Sequence, residues 1–184
     1  MRKTTELNLR RMTALAIMTA VTCVIAPLSA PIGPVPISLT TLIIALSGLL
    51  LGPPGAVASC GLYLLLGAVG LPVFAGFSGG LQVLAGPTGG YLIAYLLLAF
   101  ICGFAAKRWD GKRVPYAIAM ACGFLAVYAV GTLWLALSLE LSFKAALFAG
   151  VIPFLPGDAA KIVIAVFAGF PLKKALEKAR VLPK

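Results

Sequence analysis

Apolar runs long enough to cross a lipid bilayer follow one another along almost the whole of this chain, broken only by short turns and glycine- or proline-rich stretches. Such a run spans the hydrocarbon core as a helix of about 20 residues, because a helix satisfies its own backbone N–H and C=O groups where water cannot. The balance of the 184 residues agrees: 61% are hydrophobic, 11% are charged and the mean hydropathy is +1.08, values that exclude an ordinary soluble domain. Pattern and punctuation predict six helices, over about 12–30, 37–52, 55–70, 89–106, 114–138 and 157–172. The GPPG at 52–55 makes the turn between the second and third, since paired prolines cannot continue a helix. The expectation is an all-α polytopic membrane protein with six transmembrane helices, forming a single membrane domain over 1–184. The first run superficially resembles a secretory signal core, but it is too long and more spans follow, so the N-terminus is expected to be retained.

A net charge of +10 would point to nucleic acid if the cations formed a surface patch. Instead they cluster at the flanks of the spans. Arg2, Lys3, Arg10 and Arg11 precede the first; Lys107, Arg108, Lys112 and Arg113 follow the fourth; Lys173, Lys174, Lys178, Arg180 and Lys184 follow the sixth. With six spans, all three groups fall on one side, and that side is the cytoplasm by the excess of Lys and Arg. The predicted location is the plasma membrane, with both termini cytoplasmic, the lipid bilayer as surroundings and no nucleic-acid partner. Cys23, Cys60, Cys102 and Cys122 lie inside apolar runs without the close spacing of a metal or redox site, and read as small packing residues.

Two basic residues stand apart, Lys144 and Lys161. Lys144 falls in 138–156, read as an outer loop with a short amphipathic helix. Lys161 lies three residues after Asp158 in "FLPGDAAKIVIAVFAGF", so a helix starting near Gly157 carries both on one face. Ionisable groups inside a membrane segment are expensive and need a partner or a function. Asp158 and Lys161 can simply neutralise each other, with Asp158 favoured by the helix N-terminus; or both can face a pocket, one accepting from ligand N–H groups and the other donating to an oxygen. Further polar residues gather at the same end: Thr40 and Thr41, Ser78, Gln82, Thr88, Tyr91, Thr132 and Trp134. The long glycine-rich connection "GLPVFAGFSGGLQVLAGPTGGY", 70–91, is apolar rather than charged. Its aromatic content argues against disorder, so it is expected to fold in as a cap over a cavity, with glycines such as Gly79 letting backbone amides approach a ligand.

Catalysis has little to work with. There is no histidine, no cysteine beside a base and no acidic pair suited to hydrolysis; neither a catalytic residue nor a metal ligand set is expected. The Walker phosphate-binding pattern is absent as well, so no nucleotide site and no cofactor is expected. In the first span Ala16 and Ala20 make a small-xxx-small step that lets another helix come close. Internal packing and a partner helix remain equally open there.

The stretches "GLPVFAGFSGGLQVLAGPTGGYL", "PFLPGDAAKI" and "PVPISLTTL" together resemble the BioY family, the biotin-specific substrate-binding (S) subunits of energy-coupling factor (ECF) transporters. The resemblance covers about residues 8–175. It implies a six-helix membrane protein that captures biotin with high affinity at the outer face, and partners comprising a transmembrane coupling subunit and two cytoplasmic ATPase subunits, ATP being used only through them. It also implies toppling within the membrane during transport, and contact between the coupling subunit and the first helix at Ala16 and Ala20. By position Asp158 and Lys161 match the family's ligand-contacting pair, Gln82 and Tyr91 the corresponding loop and helix start. The ureido N–H groups of biotin suit Asp158 and its rings suit Phe77, Tyr91 or Trp134. The competing readings are a stand-alone transporter driven by protonation of Asp158 and a membrane scaffold that binds no small molecule.

Overall fold

The computed structural model describes residues 2–30, 34–179 and 181, and it is an all-α membrane fold. Helix α1 covers Arg2–Ile25 and α2 Thr40–Ala68; a short α3, Leu81–Ala85, precedes α4, Gly89–Arg108, and α5, Arg113–Ser138. A short α6, Phe143–Gly150, leads through a 3-10 turn to α7, Leu155–Ile164, which continues through a π-type turn, Ala165–Gly169, into α8, Phe170–Lys178. Among the described residues four segments are long and apolar enough to cross a membrane: Thr40–Ala68, Gly89–Arg108, Arg113–Ser138 and Phe143–Lys178.

Helix α2 holds two of the expected helices as two arms, and Gly52 divides them. Its backbone lies at φ 69°, ψ −176°, a combination open in practice only to glycine. Thr40 and Tyr63 line the same cavity, although 23 residues of straight helix would hold them roughly 35 Å apart. The chain therefore turns back at Gly52, and Pro53 and Pro54 open the second arm, where their missing N–H groups would have had no helical acceptor.

The expected helix ends shift in four places. Residues 29–30 and 37–38 are not helical but form a two-stranded antiparallel ladder, β1 (Ser29–Ala30) and β2 (Ile37–Ser38), with Ser29 opposite Ser38. The prolines at 27, 31, 34 and 36 deny helical donors on both sides of this hairpin. At the other extreme α1 begins ten residues before the expected start, and the last helix runs on to Lys178. The π-type turn precedes Pro171, which has no N–H to offer the Phe167 carbonyl; the widened turn sits where the regular ladder would fail.

Hydroxyl groups and aromatic edges knit the bundle. Thr19 Oγ1 and Ser59 Oγ pair at 3.0 Å between α1 and the second arm of α2, the kind of bond that joins helices where lipid supplies no hydrophobic drive. The Tyr116 hydroxyl donates to the Ala45 carbonyl at 2.6 Å, and its ring meets Phe170 edge-on at 5.6 Å. At the basic end of the bundle Lys173 Nζ lies 2.6 Å from Asp110 Oδ1 and 3.9 Å from Glu177 Oε1.

The Lys173 ammonium holds the Asp110 carboxyl below its ordinary pKa. A depressed folded-state pKa adds stability that is present above the unfolded value and is lost as pH falls through the folded one. Asp110 is 71% exposed, so the effect is small. Asp110→Asn is expected to lower stability by no more than about 1 kcal/mol at pH 7, and the deficit should shrink as thermal unfolding in detergent is repeated at progressively lower pH, disappearing once the folded carboxyl is protonated. A deficit unchanged by acid would assign it to something other than the ion pair.

Candidate binding site

Two connections meet at the end of the bundle opposite that ion pair. The Gly76 N–H points to both the Pro27 carbonyl, 3.1 Å, and Ser29 Oγ, 3.0 Å, joining the glycine-rich loop to the hairpin. Tyr63 and Phe74 pack edge to face at 5.5 Å beneath it. The expected cap is therefore built from two loops. It covers a cavity with two lobes that share Val35, Pro36, Ser38, Tyr91 and Tyr95 in their walls, one of about 220 Å³ under the cap and one of about 40 Å³ deeper between the helices.

The deep lobe contains the ionisable pair. Lys161 Nζ donates to Asp158 Oδ1 at 2.8 Å and to Thr41 Oγ1 at 3.1 Å. The Tyr128 hydroxyl donates to the second carboxylate oxygen, Asp158 Oδ2. Both charged residues are buried, at 7% and 6% exposure, so water screens the pair little. The network ties α2, α5 and α7 together: α2 brings Thr41, α5 brings Tyr128, and α7 brings both Asp158 and Lys161. Asp158 stands in the first turn of α7, where helix N–H groups favour an anion. One of the three ammonium N–H groups and lone pairs on both Asp158 oxygens remain for a ligand.

The other residues singled out in the sequence divide. Tyr91 lines both lobes and Thr40 the wide one; the Tyr91 hydroxyl reaches Thr132 Oγ1 and the Gly150 carbonyl, each at 3.2 Å. Ser78 and Thr88 line the wide lobe. Gln82, Phe77, Gly79 and Trp134 line neither. Gln82 is exposed and its amide donates to the Gly79 carbonyl at 2.8 Å, inside its own loop. Phe77 is 64% exposed at a positive φ of 58°. Gly79 packs against the backbone of Leu71. Trp134 donates from its indole to the Gly86 carbonyl at 2.9 Å, pinning the loop to α5 instead of facing the cavity. Ala16 and Ala20 are exposed on the outer side of α1, while Ala14, Thr19 and Thr22 face inward.

Tyr95 and Tyr128 are among the wall residues that sequence reading passed over, as are Ser38 and Tyr63. Tyr95 follows Tyr91, and Thr132 follows Tyr128, by one helical step of four, which stacks each pair on one face without telling which way that face points. Among the described residues no three His, Cys, Asp or Glu side chains converge to offer a metal a ligand set.

A profile of the BioY family matches residues 1–178. The chain belongs to the BioY family. A probable biotin transporter BioY of Pyrococcus horikoshii is 41% identical over 157 residues, covering 85% of this chain and 92% of that one. The biotin transporter BioY of Thermotoga maritima is 39% identical over 166 residues, with 90% and 97% covered. The crystal structure of an S-component for biotin from an ECF-type ABC transporter matches this fold with a TM-score of 0.84 at 34% identity, covering 91% of this chain and 92% of that chain. That S-component shares this arrangement of helices over nearly the full length of both chains.

Proposed function

We propose that this chain is the biotin-binding subunit of an ECF-type uptake transporter, working as a single membrane domain with Asp158 and Lys161 reading the ligand. The observation that carries the reading is the buried Tyr128–Asp158–Lys161–Thr41 network in the wall of a loop-capped cavity, in a member of the BioY family. The bicyclic head of biotin presents two N–H donors and a carbonyl acceptor on an apolar frame. Asp158 has lone pairs for the donors, Lys161 has an N–H for the acceptor, and Phe124, Val127, Tyr95 and Tyr91 supply apolar walls. A few placed polar groups in an otherwise apolar cavity are what a small-molecule site needs. Tyr91 and Thr40 belong to this wall, whereas Gln82, Phe77, Gly79 and Trp134 act through the shape of the cap.

The cap excludes water, and the lower dielectric strengthens each polar contact inside. This reading takes α1, the two arms of α2, α4, α5 and the α7–α8 run as six crossings, and the clustered cations support cytoplasmic termini. This chain offers no machinery to hydrolyse ATP, and the reading makes it a transport subunit rather than an enzyme. Energy comes from two cytoplasmic ATPase subunits through a transmembrane coupling subunit, for which the exposed Ala16 and Ala20 leave close access on α1.

Calorimetric titration of the detergent-purified chain with biotin, with riboflavin and thiamine as controls, tests the reading. Selective, saturable binding of biotin is expected. Tyr128→Phe removes the hydrogen bond that orients Asp158 before the ligand arrives and is expected to weaken biotin by up to about tenfold, the equivalent of about 1.4 kcal/mol. A folded wild type that binds no biotin would overturn the proposal.

A further inference from the structure

Every cation that could meet a ligand in this cavity can be counted. Among the described residues, the walls of the two lobes contain one aspartate and one lysine, Asp158 and Lys161, and no other Asp, Glu, Lys, Arg or His. Rearrangement of the cap adds none. Between Arg11 and Lys107 the chain carries no Asp, Glu, Lys, Arg or His, and both cap loops fall within that stretch. Between Arg113 and Lys173 the only other cation is Lys144. Lys144 is exposed on α6, six residues and roughly 9 Å of helical rise from Gly150, the α6 residue that lines the deep lobe. The site therefore has zero net charge.

Lys161 is also already committed, to Asp158 at 2.8 Å and Thr41 at 3.1 Å. A ligand carboxylate placed on it would set two carboxylates around one ammonium, a like-charge arrangement that disfavours having both ionised. A neutral group that donates and accepts has no such conflict. The wide lobe beneath the cap carries a few polar groups but no charge. Ser38 Oγ and Thr40 Oγ1 lie 2.8 Å apart, Ser78 Oγ donates to the Ala75 carbonyl at 2.8 Å, and Thr88 completes the set. Hydroxyls donate and accept alike, so they serve an amide as readily as a carboxylate, and a buried carboxylate without a cation gains nothing from its charge.

We infer that the site reads the ureido head of its ligand and not the charge of its tail, so that neutral-tailed biotin derivatives, the amides and esters of its carboxyl group, are ligands of this chain as well. The inference rests on the biotin reading proposed above. It makes the ligand class wider than the free acid and assigns the tail to the Ser38–Thr40 side of the cavity.

The test compares biotin, biotinamide and biotin methyl ester on the same wild-type preparation by calorimetric titration. All three are close in size, so tail charge is the main variable. Dissociation constants within tenfold of one another, a spread of about 1.4 kcal/mol, are expected. Neutral derivatives more than tenfold weaker than biotin would overturn this inference and leave the biotin reading standing; failure of biotin itself to bind would overturn both. Lys161→Met provides a second readout: it is expected to weaken biotin and biotinamide by the same factor, and a loss confined to biotin would mean that Lys161 holds the carboxylate. If that variant does not fold, the wild-type comparison still decides.

Discussion

Asp158→Asn is expected to weaken biotin binding roughly 100-fold or more, because it removes the one anion in the cavity and with it charge-assisted bonds each worth about 1.5–3 kcal/mol. In the native site both carboxylate oxygens are held, Oδ1 by Lys161 and Oδ2 by Tyr128, so the group is fixed before a ligand arrives. An asparagine there keeps one acceptor and turns the other position into a donor. The Tyr128 hydroxyl can rotate to accept from that amide, which lets the side chain stay in place. The ligand has no such freedom: ureido N–H groups directed at Asp158 would meet an N–H₂. Lys161, buried and deprived of its counter-ion, adds a stability loss of about 3–5 kcal/mol, to be read from thermal unfolding in detergent beside the calorimetric titration.

Stability and binding can be separated at the same site. Replacing both members together, Asp158→Leu with Lys161→Met, removes the pair without leaving a lone charge, and such exchanges are often neutral or stabilising. The double variant is thus expected to unfold no earlier than wild type and still to bind no biotin. That combination would mean the pair is kept for the ligand and not for the fold. Biotin binding retained in a folded Asp158→Asn protein would remove Asp158 from the site, and a double variant as unstable as the single one would make the pair structural.

The pair was legible in the sequence because its two features are local: an i,i+3 spacing, and charge where apolar residues dominate. The cap was legible for a similar reason, since a long glycine-rich connection with aromatic residues has little else to do. Tyr128 was not, because a tyrosine in a membrane helix has the same appearance whether it sits in the interface belt or donates to a carboxylate thirty residues later. Only the packing of α5 against α7 distinguishes them. Gln82 shows the reverse failure. Its polarity drew attention in an apolar loop, but its amide is spent on the Gly79 carbonyl of the same loop, the local side-chain-to-backbone bonding that competes with every long-range role. The hairpin at Ser29–Ala30 and Ile37–Ser38 was absorbed into neighbouring helices because apolar runs in a membrane chain leave strand and helix alike in composition, and the prolines between them carried the only warning.

Gly48→Leu is expected to unfold the bundle or to lower its thermal stability by more than the roughly 1–3 kcal/mol typical of overpacking, and to reduce biotin binding with it. A side chain at Gly48 would place its Cβ 2.7 Å from the Cys102 Cβ and 2.8 Å from the Gly103 backbone nitrogen; one at Gly103 would stand 2.6 Å from the Pro53 Cα. The atoms in the way are mostly backbone, so no rotamer change can make room. Helices without a hydrophobic drive toward one another depend on this close approach for dispersion contacts, and here it joins the first arm of α2 to α4. Thr40 and Thr41 lie about two turns farther along that arm, so prising it from α4 moves the acceptor of Lys161 and the wall of the wide lobe together. Gly61→Ala is the matched control: a Cβ there meets nothing within 4 Å, and an alanine in place of glycine inside a helix is expected to be neutral or to stabilise by up to about 1 kcal/mol. Thermal unfolding and biotin titration of the two variants side by side decide the matter. A Gly48→Leu protein that melts and binds as Gly61→Ala does would mean that α2 and α4 do not meet at this crossing, and the position of Thr41 beside Lys161 would lose its structural basis.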